Sequence, residues 1–212
     1  MGVNVAVTHS SENTLAGRHI LSAEDISSAE IRLVLDTARV LDQDTNGARE
    51  FSGLLQGKTL TTAFFEASTR TRLSFESAML RLGGQVSSIQ YGRSSSSEKG
   101  ESLQDMGRVL SGYADIVAMR HPENGSVAAF ASTATVPVIN AGDGANQHPT
   151  QALLDLYTIF LERRRLDGLT IGFIGDLKYS RTVHSLISLL QHYRLTLYFI
   201  SHPLLALPES IP

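Results

Sequence analysis

Apolar residues recur along this chain with two alternating periods. Between residues 23 and 41, Ile31, Val34, Leu35, Ala38 and Leu41 fall at helical spacing. After the turn residues Gly57 and Lys58, a run rich in Thr and Phe over 59–65 predicts a short buried strand. Residues 68–72 are polar, and a helix is predicted over 73–82 with Phe75, Met79 and Leu82 on one face. Gly83 and Gly84 close it in the manner of a glycine cap. The alternation then repeats: strand 86–91, loop 92–100 with four consecutive serines, helix 101–113, strand 115–119, short helix 124–132, strand 136–140 and loop 140–148. Pro149 stands at the first position of the next helix, which tolerates its fixed φ and missing N–H. That helix runs to about residue 164, with Leu153, Leu154, Tyr157, Phe160 and Leu161 as its apolar side, and Asp167-Gly168 breaks it. Strand 169–174, loop 175–180, helix 181–193 and strand 195–200 follow, then Pro203, Pro208 and Pro212.

Strands separated by helices predict an α/β fold with a parallel sheet flanked by helices. The pattern divides into a ligand-binding domain over 1–148, a connecting helix over 149–164 and the start of a second α/β domain over 165–212. Two strands and one helix cannot cover a sheet on both faces, and units this small need partners. The expectation is a second domain whose C-terminal part is absent.

Composition narrows the ligand. The chain is 42% apolar and 18% charged, ordinary for a globular protein. A net charge of -3 gives no general pull toward nucleic acid or an anionic membrane, so an anionic ligand needs a local cluster of arginines. The absence of cysteine excludes disulfides, zinc thiolate sites and a cysteine nucleophile. No apolar run approaches the ~20 residues that span a bilayer, and the N-terminus lacks the basic start and apolar core of a secretory signal. A cytosolic protein is expected; an organelle protein with its leader removed stays open.

Four strand-to-helix turns carry chemistry. Ser68, Thr69, Arg70, Thr71 and Arg72 open a helix, where unpaired N–H groups and the positive end of the helix dipole favour a small anion. The same residues fit a capping serine with surface arginines, and spacing alone does not choose. Arg120 ends a strand, where ligands of open parallel sheets bind. In the loop from Gly142 to Gln151, His148 and Gln151 lie three apart across a helix start and can reach one ligand. A histidine there can donate to a carbonyl oxygen and stabilise developing negative charge. The turn from Gly175 to Ser185 places Arg181 at another helix start. Neither a G-x-G-x-x-G fingerprint nor a G-x-x-x-x-G-K-[ST] loop occurs, so NAD and ATP are not expected. Residues 94–100 read as a serine-rich linker.

Ser68-Thr69-Arg70-Thr71-Arg72 resembles the phosphate-binding motif of the carbamoyltransferases. The aspartate and ornithine branches share it. The Ser95-to-Lys99 loop, the stretch from Gly142 to Asp155 and the stretch from Gly175 to Ser185 resemble the aspartate branch. The ornithine branch would need neither Lys99 nor the Gly-Asp-Leu-Lys-Tyr-x-Arg-Thr pattern. The resemblance implies that Ser68, Thr69, Arg70 and Thr71 hold the phosphate of carbamoyl phosphate, and that Ser95, Arg120, His148 and Gln151 bind the same substrate. It implies that Thr71, Arg120 and His148 stand near the carbamoyl oxygen, and that Ser95 and Lys99 reach into a neighbouring subunit's site. Lys99 would contact both substrates, and Arg181 would grip a carboxylate of L-aspartate. Catalysis would fall to Arg70, Thr71, Lys99, Arg120 and His148, with no metal and no cofactor. The implied assembly is a homotrimer with shared active sites, open to a regulatory subunit. The family's second domain supplies a further arginine and glutamine for aspartate and a Pro-Leu pair for the carbamoyl group. Those residues are expected to be missing, as in a C-terminally truncated chain. A chain that binds carbamoyl phosphate, or joins full-length subunits, without turnover is the competing expectation.

Overall fold

The computed structural model describes residues 15–44, 51–90, 101–209 and 211. The elements run α1 (Ser28–Asp44), β1 (Thr59–Phe64), α2 (Thr69–Arg81), β2 (Gln85–Gln90), α3 (Leu103–Ser111), β3 (Ile116–His121), α4 (Ser126–Ala131), β4 (Val138–Asp143), α5 (Pro149–Arg163), β5 (Thr170–Ile174), α6 (Arg181–Leu190) and β6 (Thr196–Ile200). The fold is α/β, with a four-stranded sheet ordered β2-β1-β3-β4 and a two-stranded sheet β5-β6. Every strand pair among the described residues is parallel.

Local chemistry moves several boundaries away from those the periodicity predicts. The first helix starts at Ser28 rather than residue 23. Ser27 and Glu30 form a reciprocal cap: the Ser27 N–H donates to the Glu30 carboxylate at 2.9 Å, and the Glu30 N–H to the Ser27 hydroxyl at 3.3 Å. Ahead of it, Ile20 bridges to Ile139 beside β4. β4 begins after Pro137, which has no N–H for a ladder, and runs on to Asp143. α5 ends close to the predicted residue 164, and Arg164 itself makes the stop ahead of Asp167-Gly168: its φ of 57° turns the chain left-handed and its N–H returns to the Phe160 carbonyl at 2.8 Å.

The period-2 alternation of the strands separates two apolar clusters across the larger sheet. Ala63, Val117, Met119 and Val138 face Met106, Leu110, Val127 and Phe130 of α3 and α4. Leu60 and Ala118 face Met79 of α2. The buried Thr61 and Thr62 are satisfied laterally, their hydroxyls lying 2.6 and 2.9 Å from those of Ser87 and Ser88 on β2. A third cluster joins α1, α5 and α6 through Ile31, Leu35, Ala152, Leu156, Leu186 and Leu189. It ties the two sheets together through α5, which packs against both α1 and α6. The outer face of the small sheet remains open, with Ile174, Tyr198 and Ile200 exposed.

Phe130 is wholly buried. Phe130→Ala is expected to lower unfolding stability by about 3–5 kcal/mol, read as an earlier urea midpoint at unchanged slope.

Candidate active site

Because β1, β3 and β4 run parallel, their carboxyl ends fall on one edge of the sheet. The Phe65 N–H donates to the Arg120 carbonyl at 2.9 Å, which carries Glu66 and the start of α2 alongside the end of β3. The register between β3 and β4 shifts between Met119 and His121, so Arg120 sits at an irregularity of the ladder, a device that re-aims a side chain.

Arg120 is buried, and its guanidinium donates through Nε to the Glu66 carboxylate at 3.0 Å, with Nη2 also 3.0 Å from the same oxygen. Arg181, from the first turn of α6, brings its Nη2 to 3.8 Å of that oxygen and donates through Nη1 to the Gly144 carbonyl. Gly142 lets the two guanidinium groups approach. Its φ of 117° is one that side chains rarely adopt, and a Cβ there would lie 3.1 Å from Arg120 Nη1 and 3.2 Å from Arg181 Cζ. Burial, and then the charge of Arg181, pull Arg120 below the ordinary arginine range, while Glu66 opposes them. Two guanidinium groups thus share one carboxylate at a partly desolvated edge, and the excess positive charge favours an added anion.

His148 caps α5 and is buried. Its backbone N–H donates to the Ser185 hydroxyl at 3.0 Å, and that hydroxyl donates to Gln147 Oε1 at 2.8 Å. The imidazole Nδ1 accepts the Gln151 N–H at 3.4 Å, which leaves Nε2 to carry the proton of the neutral ring. Burial first, then Arg181 and Arg120, lower its pKa from 6.5 to about 4. At neutral pH it is therefore an uncharged donor, suited to an oxygen that gains negative charge.

The loop before His148 is held by Asp143. Its carboxylate accepts from the Asn140 amide at 2.9 Å, the Gly125 N–H at 2.9 Å, the Gln147 N–H at 3.1 Å and the Asn146 amide at 3.2 Å. An acid so occupied is structural.

The structure brings Arg120, His148 and Arg181 together. Ser68, Thr69, Arg70 and Thr71 stand at the end of the adjacent strand, where α2 begins. Ser68 caps α2 by position but makes no side-chain cap bond. Arg70 is exposed and makes no ion pair among the described residues. Gln151 is turned along α5, its amide donating to Asp155 at 2.9 Å. Ser95 and Lys99 lie outside the described residues. No group of three His, Cys, Asp or Glu side chains among the described residues could hold a metal. Sequence reasoning missed Glu66, Gln147 and Ser185. An acid two residues before an anion motif argues against that motif until its arginine partners are seen, and the hydroxyl of Ser185 has no sequence mark of its 38-residue reach to Gln147.

Since folding lowers the His148 pKa, the unfolded chain takes up this proton first as pH falls. His148 therefore withdraws stability between about pH 6.5 and 4, by roughly 3 kcal/mol over the window, and has no such effect above it. Urea midpoints measured across that range should fall more steeply for the unchanged chain than for His148→Gln.

Residues 18–160 match the family described as aspartate/ornithine carbamoyltransferase, carbamoyl-P binding domain. The aspartate carbamoyltransferase catalytic subunit of Methanocaldococcus jannaschii is 53% identical over 195 residues, covering 92% of this chain and 63% of its own length. Among solved structures, aspartate transcarbamoylase from Trypanosoma cruzi in complex with carbamoyl aspartate and phosphate superposes with a TM-score of 0.86 at 42% identity, covering 92% of this chain and 64% of the other. The same enzyme in complex with N-(phosphonacetyl)-L-aspartic acid gives 0.86 at 43% identity, covering 92% and 61%. This chain therefore spans less than two thirds of the length of these relatives, and it belongs to the aspartate/ornithine carbamoyltransferase family.

Proposed function

We propose that this chain is a catalytic polypeptide of aspartate carbamoyltransfer, moving the carbamoyl group of carbamoyl phosphate to the amine of L-aspartate and releasing phosphate. The observation that carries the reading is the meeting of Arg120, Arg181 and the neutral His148 at the carboxyl edge of the sheet, beside the start of α2. It is supported by relatives named as aspartate carbamoyltransferase catalytic subunits, and by a similar enzyme solved with carbamoyl aspartate and phosphate.

In this reading Ser68, Thr69, Arg70 and Thr71 hold the phosphate at the N-terminus of α2, where backbone N–H groups and the helix dipole add to the arginine. Arg120 and His148 donate to the carbamoyl oxygen with Thr71, and Gln151 binds carbamoyl phosphate. The amine of aspartate attacks the carbamoyl carbon and forms the new C–N bond. Negative charge gathers on the carbonyl oxygen, opposite the Arg120 and His148 donors. The C–O bond to phosphate then breaks, and the amine proton passes to the departing phosphate. Arg181 grips a carboxylate of aspartate, so much of the rate comes from holding two anions side by side. Ser95 and Lys99 enter from a neighbouring subunit. The exposed Leu73 and Leu80, seven residues apart on one side of α2, suit such self-association into a homotrimer. The domain division at 148 and 165, a cytoplasmic location and a regulatory subunit belong to the same reading. Among the described residues no helix is long and apolar enough to cross a membrane.

The open face of the β5-β6 sheet favours a second reading, in which the chain binds carbamoyl phosphate without turnover. Incubation of the purified chain with carbamoyl phosphate and L-aspartate separates the two. Carbamoyl aspartate in the product supports the first, binding without product supports the second, and absence of carbamoyl phosphate binding overturns both. Arg70→Ala should weaken carbamoyl phosphate binding in calorimetry by roughly 10- to 100-fold without unfolding the chain, the loss of charge-assisted hydrogen bonds. Lys99→Ala should weaken that binding far less than Arg70→Ala and lower turnover on the order of 100-fold.

A further inference from the structure

His184 is buried at 6% exposure and has no part in the chemistry above. It lies one turn into α6 from Arg181. Its Nε2 stands 2.7 Å from the Leu177 carbonyl. A carbonyl only accepts, so Nε2 bears the proton. Leu177 is a firm anchor: its side chain is 1% exposed and its N–H donates to the Leu205 carbonyl at 3.0 Å. Between Leu177 and Arg181 the chain makes tight turns. Asp176 accepts the N–H groups of Lys178 and Tyr179, both at 3.0 Å, and the Arg181 N–H returns to the Tyr179 carbonyl at 3.1 Å. The His184–Leu177 bond thus clamps the start of α6 to the loop that delivers Arg181.

We propose that His184 is the positioning residue for Arg181, fixing through the Leu177 carbonyl where that guanidinium meets Glu66, Gly144 and His148. Only the ligand of Arg181, a carboxylate of L-aspartate, rests on the carbamoyltransfer reading; the positioning does not. The side chain of Arg181 spans from α6 to the end of β4 and to Glu66 beyond β1. A small rotation at its base would swing its tip away from the loop.

Among the described residues the charged groups that act on His148 are Arg181 and Arg120, so His148 reports on the placement of Arg181. The test uses His184→Asn, His184→Gln and Arg181→Ala in the full chain, with the His148 imidazole titrated by NMR. Glutamine can carry a donor to the Nε2 position, and asparagine is too short. Arg181→Ala and His184→Asn should both raise the His148 pKa from about 4 by on the order of one unit, and His184→Gln should leave it in place. An unmoved titration in His184→Asn, or an equal rise in both His184 variants, overturns the proposal. So does an unmoved titration in Arg181→Ala, since it removes the placement being explained. In the unchanged chain the imidazole Nε2 proton should exchange slowly, a reading that needs no variant; fast exchange counts against the clamp. Succinate binding in the presence of phosphate, expected to be about 10-fold weaker in His184→Asn than in His184→Gln, examines the ligand separately. No succinate binding by the unchanged chain would remove the carboxylate assignment while the titration still decides the positioning.

Discussion

The Glu66 carboxylate, held between Arg120 and Arg181, is the interaction on which the site depends. Two guanidinium groups brought to one edge of a sheet repel each other, and taking them out of water costs several kcal/mol each unless they are paired. Glu66 supplies half the charge they need and leaves the rest available for a ligand. The geometry is asymmetric: Arg120 makes close contacts at 3.0 Å, whereas Arg181 stands off at 3.8 Å. Arg181 is the arm less committed to Glu66.

The surrounding structure keeps that arrangement. Gly142 removes the Cβ that would separate the two arginines. Asp143 spends its carboxylate on four N–H donors and fixes the loop that ends at His148. Ser185 fastens the His148 backbone and the Gln147 side chain to α6, the helix that also carries Arg181. Burial first, and then the same positive field that attracts an anion, keep the His148 ring neutral. Anion attraction and donor chemistry thus share the arginine field in part, since a protonated imidazole there would be a buried third cation beside two arginines.

Much of the fold was legible because it rests on periodicity. The strands of β1 and β5 and the starts of α5 and α6 follow from apolar runs and from Pro149 and Arg181 at helix openings. Boundaries failed where a side chain or a distant strand decides them. The first helix starts at the Ser27–Glu30 cap, and β4 runs on because Asp143 pairs with His121. The end of α5 near residue 164 was legible, but a non-glycine residue, Arg164, makes the left-handed turn there, ahead of Asp167-Gly168.

By itself the sequence determined the alternating α/β order and the turns in which arginine, serine, threonine and histidine gather, because both are properties of short segments. It also determined the resemblance that separates the aspartate from the ornithine branch. Tertiary structure alone decided which of these residues meet. Arg120 and Arg181 are 61 positions apart, and only the packing of α5 against α6 and the break in register at Arg120 bring them to Glu66. It also decided the protonation of His148, since burial and neighbouring charge are properties of the folded chain.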